Sequence, residues 1–318
     1  MKLELIKKYE PDNIQWIYSC VILNEEMAVF LIMDNEDKYA LLCISPDKMK
    51  LLPLDYLETF LKMESNPVLF SKGGGFGIIK NQSELFYYQN IDSNLKRIEI
   101  EEKKFFKPIF PPKVRMAYSN PISNTDILPV CFQHTVFRGS EVRYLAFLNL
   151  NVEKQKAKWE SWTNLDSKKF PICYNEKDPP KIDSVMIKDK EIFVYTSGAM
   201  ITSVNKWGMD YYGIVKITQK GEIVETLLNS GNLHEIDQKK RGVNGAFSSS
   251  QKYAFLMPVF QSCEWKGKQK LFSIDTKEMI DIDFPRGFGK YPQIMEHFGN
   301  YFWIFLRDTK QIAICREI

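Results

Sequence analysis

Three features of the 318-residue chain predict an all-β fold whose sheets close into a ring, a six-bladed β-propeller. Short apolar, aromatic and β-branched runs are punctuated by Asp, Asn, Gly, Lys and Pro along almost the whole length. A hairpin of an apolar strand, a tight polar turn and a second, alternating strand recurs five times. The last unit is one strand short, while the amino terminus has one strand to spare. The chain reads as a single domain, residues 1–318, and a seven-bladed ring with Phe170 to Asp183 in an extra irregular blade is the competing count.

The strands come first. Met27 to Met33 (MAVFLIM) is apolar at consecutive positions, so protein must cover both faces of that strand. A sheet with one wet face is excluded. Helical periodicity persists only across Leu54 to Met63 (LDYLETFLKM), enough for two or three turns.

The recurring hairpins are Tyr39–Ile44 with Met49–Leu54, Leu85–Tyr88 with Leu95–Ile100, Tyr144–Leu150 with Lys156–Trp162, Gly213–Ile217 with Glu222–Leu228, and Leu271–Ile274 with Met279–Phe284. Two further strand candidates precede each hairpin, as Val243–Phe247 and Tyr253–Phe260 precede the fifth, which makes four strands per unit. A sixth unit has only Pro292–Phe298, Tyr301–Leu306 and Gln311–Cys315. Its missing strand is Leu3–Lys7, which alternates correctly and has no other home. Pairing the two ends hides sheet edges that an open stack would expose. Dividing 318 residues among six units gives 53 each, the size of a four-stranded blade with loops.

The segment Phe247-Ser-Ser-Ser-Gln-Lys-Tyr-Ala-Phe-Leu256, followed by Lys270-Leu-Phe-Ser-Ile-Asp-Thr-Lys-Glu278, resembles the repeat of TolB-like six-bladed propellers. That repeat reads F-S-P-D-G-K before an L-ϕ-ϕ-ϕ-D-x-x-T-G-E hairpin. This copy lacks the Pro-Asp-Gly turn and the final Gly, and the other units match more loosely. The resemblance implies the fold and carries no activity with it. A WD-repeat dipeptide pattern, a kelch double-glycine repeat and a sialidase-type aspartate box are not found.

Composition narrows the partners. Lys+Arg 43 against Asp+Glu 40 gives a formal net charge of +3, which supplies no nucleic-acid or anionic-membrane footprint. The amino terminus mixes acidic and basic residues into a short apolar pattern unlike a secretory signal, and the longest apolar run is a third of a membrane span. A cytoplasmic, monomeric protein is expected. The six cysteines, Cys20, Cys43, Cys131, Cys173, Cys263 and Cys315, are scattered without a C-x-x-C pair and read as small buried hydrophobes.

Long links place the candidate site. In a propeller the blade-to-blade link and the link between second and third strands lie on one face, and here the insertions gather in those links, including 101–113, 163–181, 229–242 and 198–210. Long loops on a rigid scaffold are where binding resides. Trp162, Trp207 and Trp265 fall on that face, with Arg138, Arg241, Arg286 and His134 beside them. Trp buries large area at low entropy cost and Arg forks recognise anions, so these seven are the candidate binding residues. The charged runs 238–241 and 103–107 have acidic neighbours and read as solvated surface.

Catalytic and cofactor motifs are scarce. Lys72-Gly-Gly-Gly-Phe-Gly77 is followed by the strand-like Ile78-Ile79 and not by a helix, so it reads as a tight turn and not a phosphate cradle. The three histidines, His134, His234 and His297, show no metal-ligand spacing, and Asp183, Glu191 and Asp210 have no spacing that marks an acid–base pair. No cofactor, metal or catalytic residue is assigned. The expected function is non-enzymatic binding of a protein partner, regulatory or a toxin to be neutralised. The alternative is a hydrolase or lyase acting on a small polar or sugar-like substrate in the axial pocket.

Overall fold

The computed structural model of the chain describes residues 1–54, 67–101, 114–116, 121–135, 141–165, 181–201, 207–230, 243–258 and 268–318. Every regular element among them is a strand, as the sequence predicts. The periodic segment Leu54 to Met63 lies outside the described residues beyond Leu54, which is buried. So does most of the segment assigned to a seventh blade.

β1 (Leu3–Tyr9) precedes an antiparallel meander of β2 (Ile14–Asn24), β3 (Met27–Asp34), β4 (Tyr39–Ile44) and β5 (Met49–Pro53). A second meander holds β6 (Val68–Lys72), β7 (Gly75–Ile79), β8 (Glu84–Tyr88) and β9 (Lys96–Glu101). The third comprises β10 (Val114–Met116) and, after the short β11 (Pro121–Ser123), β12 (Ile127–Thr135), β13 (Glu141–Asn151) and β14 (Lys156–Asn164). The fourth is β15 (Lys181–Lys188), β16 (Glu191–Ile201), β17 (Trp207–Ile217) and β18 (Ile223–Asn229). The fifth is β19 (Val243–Phe247), β20 (Tyr253–Pro258), β21 (Lys270–Ser273) and β22 (Met279–Asp281). Last come β23 (Pro292–Phe298), β24 (Tyr301–Leu306) and β25 (Gln311–Glu317), and β1 joins them as the fourth strand. Leu3 lies opposite Glu317 and Tyr9 opposite Ile312, so the amino-terminal strand seals the carboxy-terminal sheet.

Two features depart from independent meanders. The second and third share one eight-stranded sheet, because β9 and β14 touch in parallel with Ile100 opposite Ala157 and Glu101 opposite Lys158. The innermost strand of the third meander is also split between two sheets. Its first part, β10, pairs with β12, Val114 opposite His134, whereas β11 pairs in parallel with β15, Pro121 opposite Val185.

The cores lie between sheets, which is why strands such as β3 are apolar at successive positions. Val29 and Leu31 pack towards Phe76 and Ile78, Phe70 and Leu85 towards Leu128 and Leu148, and Leu145 and Phe147 towards Val194. Tyr195 and Ile214 cluster with Phe247, and Phe255 and Leu271 with Phe302 and Ile304. Trp303 and Phe305 then meet Phe30 and Ile32, returning the core to the first meander. Each such fully buried side chain contributes roughly 1.5–3 kcal/mol of burial, so the ring is held by its inter-sheet layers. The chain is an all-β propeller.

Local details bear on the sequence reading. Gly73 and Gly74, at φ 57° and 76°, form the tight turn between β6 and β7, which a phosphate cradle leading into a helix would not. Cys20, Cys43, Cys131 and Cys315 are buried free thiols, and burial pushes Cys43 and Cys315 up to about 12, so they behave as inert hydrophobes. Cys173 and Cys263 lie outside the described residues. No helix among the described residues is long and apolar enough to cross a membrane.

Candidate functional site

The strand ends differ between the two faces. On one face, neighbouring strands are joined by short turns such as 25–26, 73–74, 189–190 and 299–300. On the other, the intervals between strands include 54–67, 102–113, 165–180 and 230–242. The short-turn face is tied together by ion pairs between units, Lys48 with Asp92 at 2.6 Å, Lys188 with Asp275 at 2.6 Å, and Lys277 with Glu225.

Three sequence candidates belong to strands, Trp162 in the strand predicted for it and Trp207 and His134 where links were expected. Trp162 lies within β14, its backbone opposite Ala146; Trp207 opens β17 opposite Ile201; and His134 lies in β12 opposite Val142. The β16–β17 hairpin extends well into the interval read from sequence as a long link, because cross-strand pairing continues through Met200 and Gly208. Arg286 is exposed on the link before β23. Trp265, Arg138, Arg241 and His234 lie outside the described residues.

Of the acid–base candidates, Asp183 and Glu191 are not brought together, and the side chain of Asp210 lies outside the described residues. Asp183 accepts a hydrogen bond from the Gly245 backbone N–H at 3.3 Å, and Glu191 pairs with Lys216 at the surface. His297 is buried, its Nδ1 2.6 Å from the Ser250 hydroxyl and its ring edge-on to Tyr253. Beside it the buried Glu296 accepts hydrogen bonds from the Ser249 backbone and hydroxyl and from the His297 backbone. Burial pushes Glu296 up to about 7 and His297 down to about 4. With both carboxylate oxygens occupied by protein, this cluster locks the β19–β20 turn to β23. No group of three His, Cys, Asp or Glu side chains that could hold a metal occurs among the described residues.

The feature the sequence reading missed is on the long-link face. At the start of β2 the pairing to β3 slips between Ile14 and Trp16, leaving Gln15 and Trp16 exposed between buried Ile14 and Ile17. Trp16 is 41% exposed, the sole aromatic among the exposed large hydrophobics of the described residues. The Arg307 guanidinium, from the β24–β25 turn, lies 5.0 Å from its ring centroid. Arg307 Nε donates to Gln293 Oε1 at 2.9 Å, and Gln293 is the second residue of the inner strand β23. Nearby protein lowers the Arg307 pKa by desolvation, yet an arginine stays cationic at any physiological pH. The same turn sends Lys310 Nζ to the Gln15 carbonyl at 3.1 Å. A guanidinium fixed on two sides and stacked on an indole is a preformed recognition element. The signal in sequence was a Trp where the strand alternation breaks.

No family model matches the chain, and no curated protein matches it. Among solved structures, the α-L-arabinanase of Penicillium chrysogenum complexed with arabinobiose is similar at a TM-score of 0.51 and 10% identity, covering 98% of each chain. The Cps50 (Swd1) β-propeller domain of Myceliophteria thermophila has a TM-score of 0.44 and 8% identity over 98% of this chain and 99% of its own. YCF48 bound to D1 peptide has 0.38 and 9% over 98% and 94%. At such identities the arabinanase likeness shows the fold alone.

Proposed function

We propose that the chain is a binding protein that holds another protein on the long-link face of a six-bladed ring. The count takes the two meanders of the eight-stranded sheet as separate blades, and six inter-sheet core layers support it. The observation that carries the function is the half-exposed Trp16 indole with Arg307 stacked on it at the inner-strand end. Aromatic and arginine anchors of this kind dominate protein interfaces. Arg286, exposed on the same side, extends the surface in this reading, with a regulatory protein or a toxin as the occupant. Charge balance favours neither nucleic acid nor membrane as partner, and the protein is read as a cytoplasmic monomer.

A hydrolase or lyase reading requires carboxylates converging on a pocket. The described inner-strand carboxylates Asp183 and Glu296 are instead held by neighbouring backbone. Affinity capture from the source cells tests the proposal. The wild-type chain retains a stoichiometric partner and the Trp16→Ala, Arg307→Ala double variant releases it; no partner, or equal retention by both, overturns it.

A further inference from the structure

We infer that the Trp16–Arg307 site recognises a side-chain carboxylate on the bound protein; this rests on the protein-binding reading above. The argument begins with where the β24–β25 turn, Arg307-Asp308-Thr309-Lys310, sends its charges. Both cations reach across to the start of β2, Arg307 over the Trp16 ring and Lys310 to the Gln15 carbonyl. Asp308 turns the other way, where Oδ2 accepts the Lys290 backbone N–H at 2.8 Å. The next carboxylate, Glu10, is occupied by an uncharged donor, Gln311 Nε2, at 2.5 Å. Among the described residues, neither Arg307 nor Lys310 has an acidic partner.

The geometry of the fork completes the case. The guanidinium carbon lies over the Trp16 ring and Gln293 takes the Nε–H, while the terminal Nη groups donate to no acceptor among the described residues, so that edge remains for a ligand. Two parallel N–H groups on that edge match the two oxygens of a carboxylate, and orientation of the fork before binding reduces the entropy cost. Lys310 adds a second positive charge on the same side. The exposed part of the indole beside the fork suits an apolar residue next to the acidic one. Elsewhere on the protein, cations such as Lys48, Lys72 and Lys188 are neutralised by Asp92, Asp126 and Asp275. Arg307 and Lys310 differ from these in keeping their charge available beside an exposed indole.

A random heptapeptide library displayed on phage coat protein, which offers side-chain carboxylates and no free carboxy terminus, is panned against the full-length wild-type chain. Enriched peptides are expected to share an Asp or Glu at one position. Synthetic versions with the matching Asn or Gln should bind at least tenfold more weakly, and Arg307→Lys, which keeps the charge but loses the fork, should weaken binding by a similar factor. Enriched peptides without a common acidic position, or undiminished binding to Arg307→Ala and Arg307→Lys, overturn the inference. The captured cellular partner separates the two claims: loss with Trp16→Ala but full retention with Arg307→Ala sinks the carboxylate and leaves protein binding standing, whereas retention by both variants sinks both.

Discussion

Glu296 and Ser249 are joined twice: Oε1 accepts the Ser249 backbone N–H and Oε2 its hydroxyl, each at 2.7 Å. These bonds favour the charged carboxylate, but complete burial outweighs them and raises its pKa from 4.5 to about 7. A group whose pKa is higher folded than unfolded adds stability below its unfolded pKa and loses it as pH rises through the folded value. Stability should therefore fall through Glu296 between about pH 4.5 and 7. His297, lowered from 6.5 to about 4, acts oppositely, its contribution being complete above 6.5 and lost as pH falls towards 4. Glu296→Gln removes the first effect alone, so the variant should gain roughly 3 kcal/mol relative to wild type between pH 4.5 and 7. Urea denaturation at a series of pH values measures this; a difference that stays constant with pH contradicts it.

Trp303 is fully buried between the last sheet and the first, parallel to Tyr9 at 6.2 Å and tilted against Phe30 at 5.9 Å, yet its Nε1–H has no acceptor among the described residues. An unsatisfied buried donor costs about 1–3 kcal/mol, which offsets part of what the larger ring gains in packing. Trp303→Phe is expected within about 1 kcal/mol of wild type, and Trp303→Ala to lose about 3–5 kcal/mol. Equal losses in chemical denaturation would show that the indole nitrogen carries no penalty.

Closure by β1 separates buried from exposed contributions. Leu3 is buried against β25 and its neighbours, so Leu3→Asp should cost about 3 kcal/mol or more by placing a charge in that core. The Arg316–Glu4 ion pair, 2.8 Å and half-exposed on both sides, lies in the same ladder. Arg316→Ala should cost far less than Leu3→Asp, because the pair is solvated and screened. Thermal melting of the two variants decides the matter, and comparable losses would place the closure energy in surface charge.

Gly245 of β19 lies against the ring of Tyr195, whose hydroxyl donates to the Val243 carbonyl at 3.0 Å. A methyl group at Gly245 would overlap that fully buried ring. Gly245→Ala should lose about 1–3 kcal/mol or more through overpacking, against about 1 kcal/mol for Tyr195→Phe, which drops only the hydrogen bond. A Gly245→Ala loss smaller than that of Tyr195→Phe would mean that the sheets separate readily here.

The strands and the closure were legible because alternation and consecutive apolar runs report burial directly, as in Met27–Met33 and Leu3–Lys7. The split inner strand was not, since Val114-Arg-Met116 and Pro121-Ile-Ser123 are too short to show any period. Trp207 was read as a loop residue because it falls within the long link 198–210, whereas backbone pairing holds β16 to β17 at Ile201. The turns of the fifth unit teach the converse lesson. Gln251 and Lys277 stand where the TolB-like pattern has glycine, yet both adopt left-handed backbone, at φ 61° and 58°. Gln251 is held there by its own side chain, whose Nε2 donates to the Ile187 carbonyl at 2.9 Å. Trp16 and Arg307 meet from opposite ends of the chain, a proximity no local pattern encodes.

The divided strand of β10 and β11 bears on how this architecture can change over generations. Because one short stretch supplies a hydrogen-bonding edge to its own meander and another to the next, a recombination event that duplicated or deleted a single repeat would cut a shared seam. A change in the number of repeats at this seam would therefore leave one of the two sheets without its pairing edge.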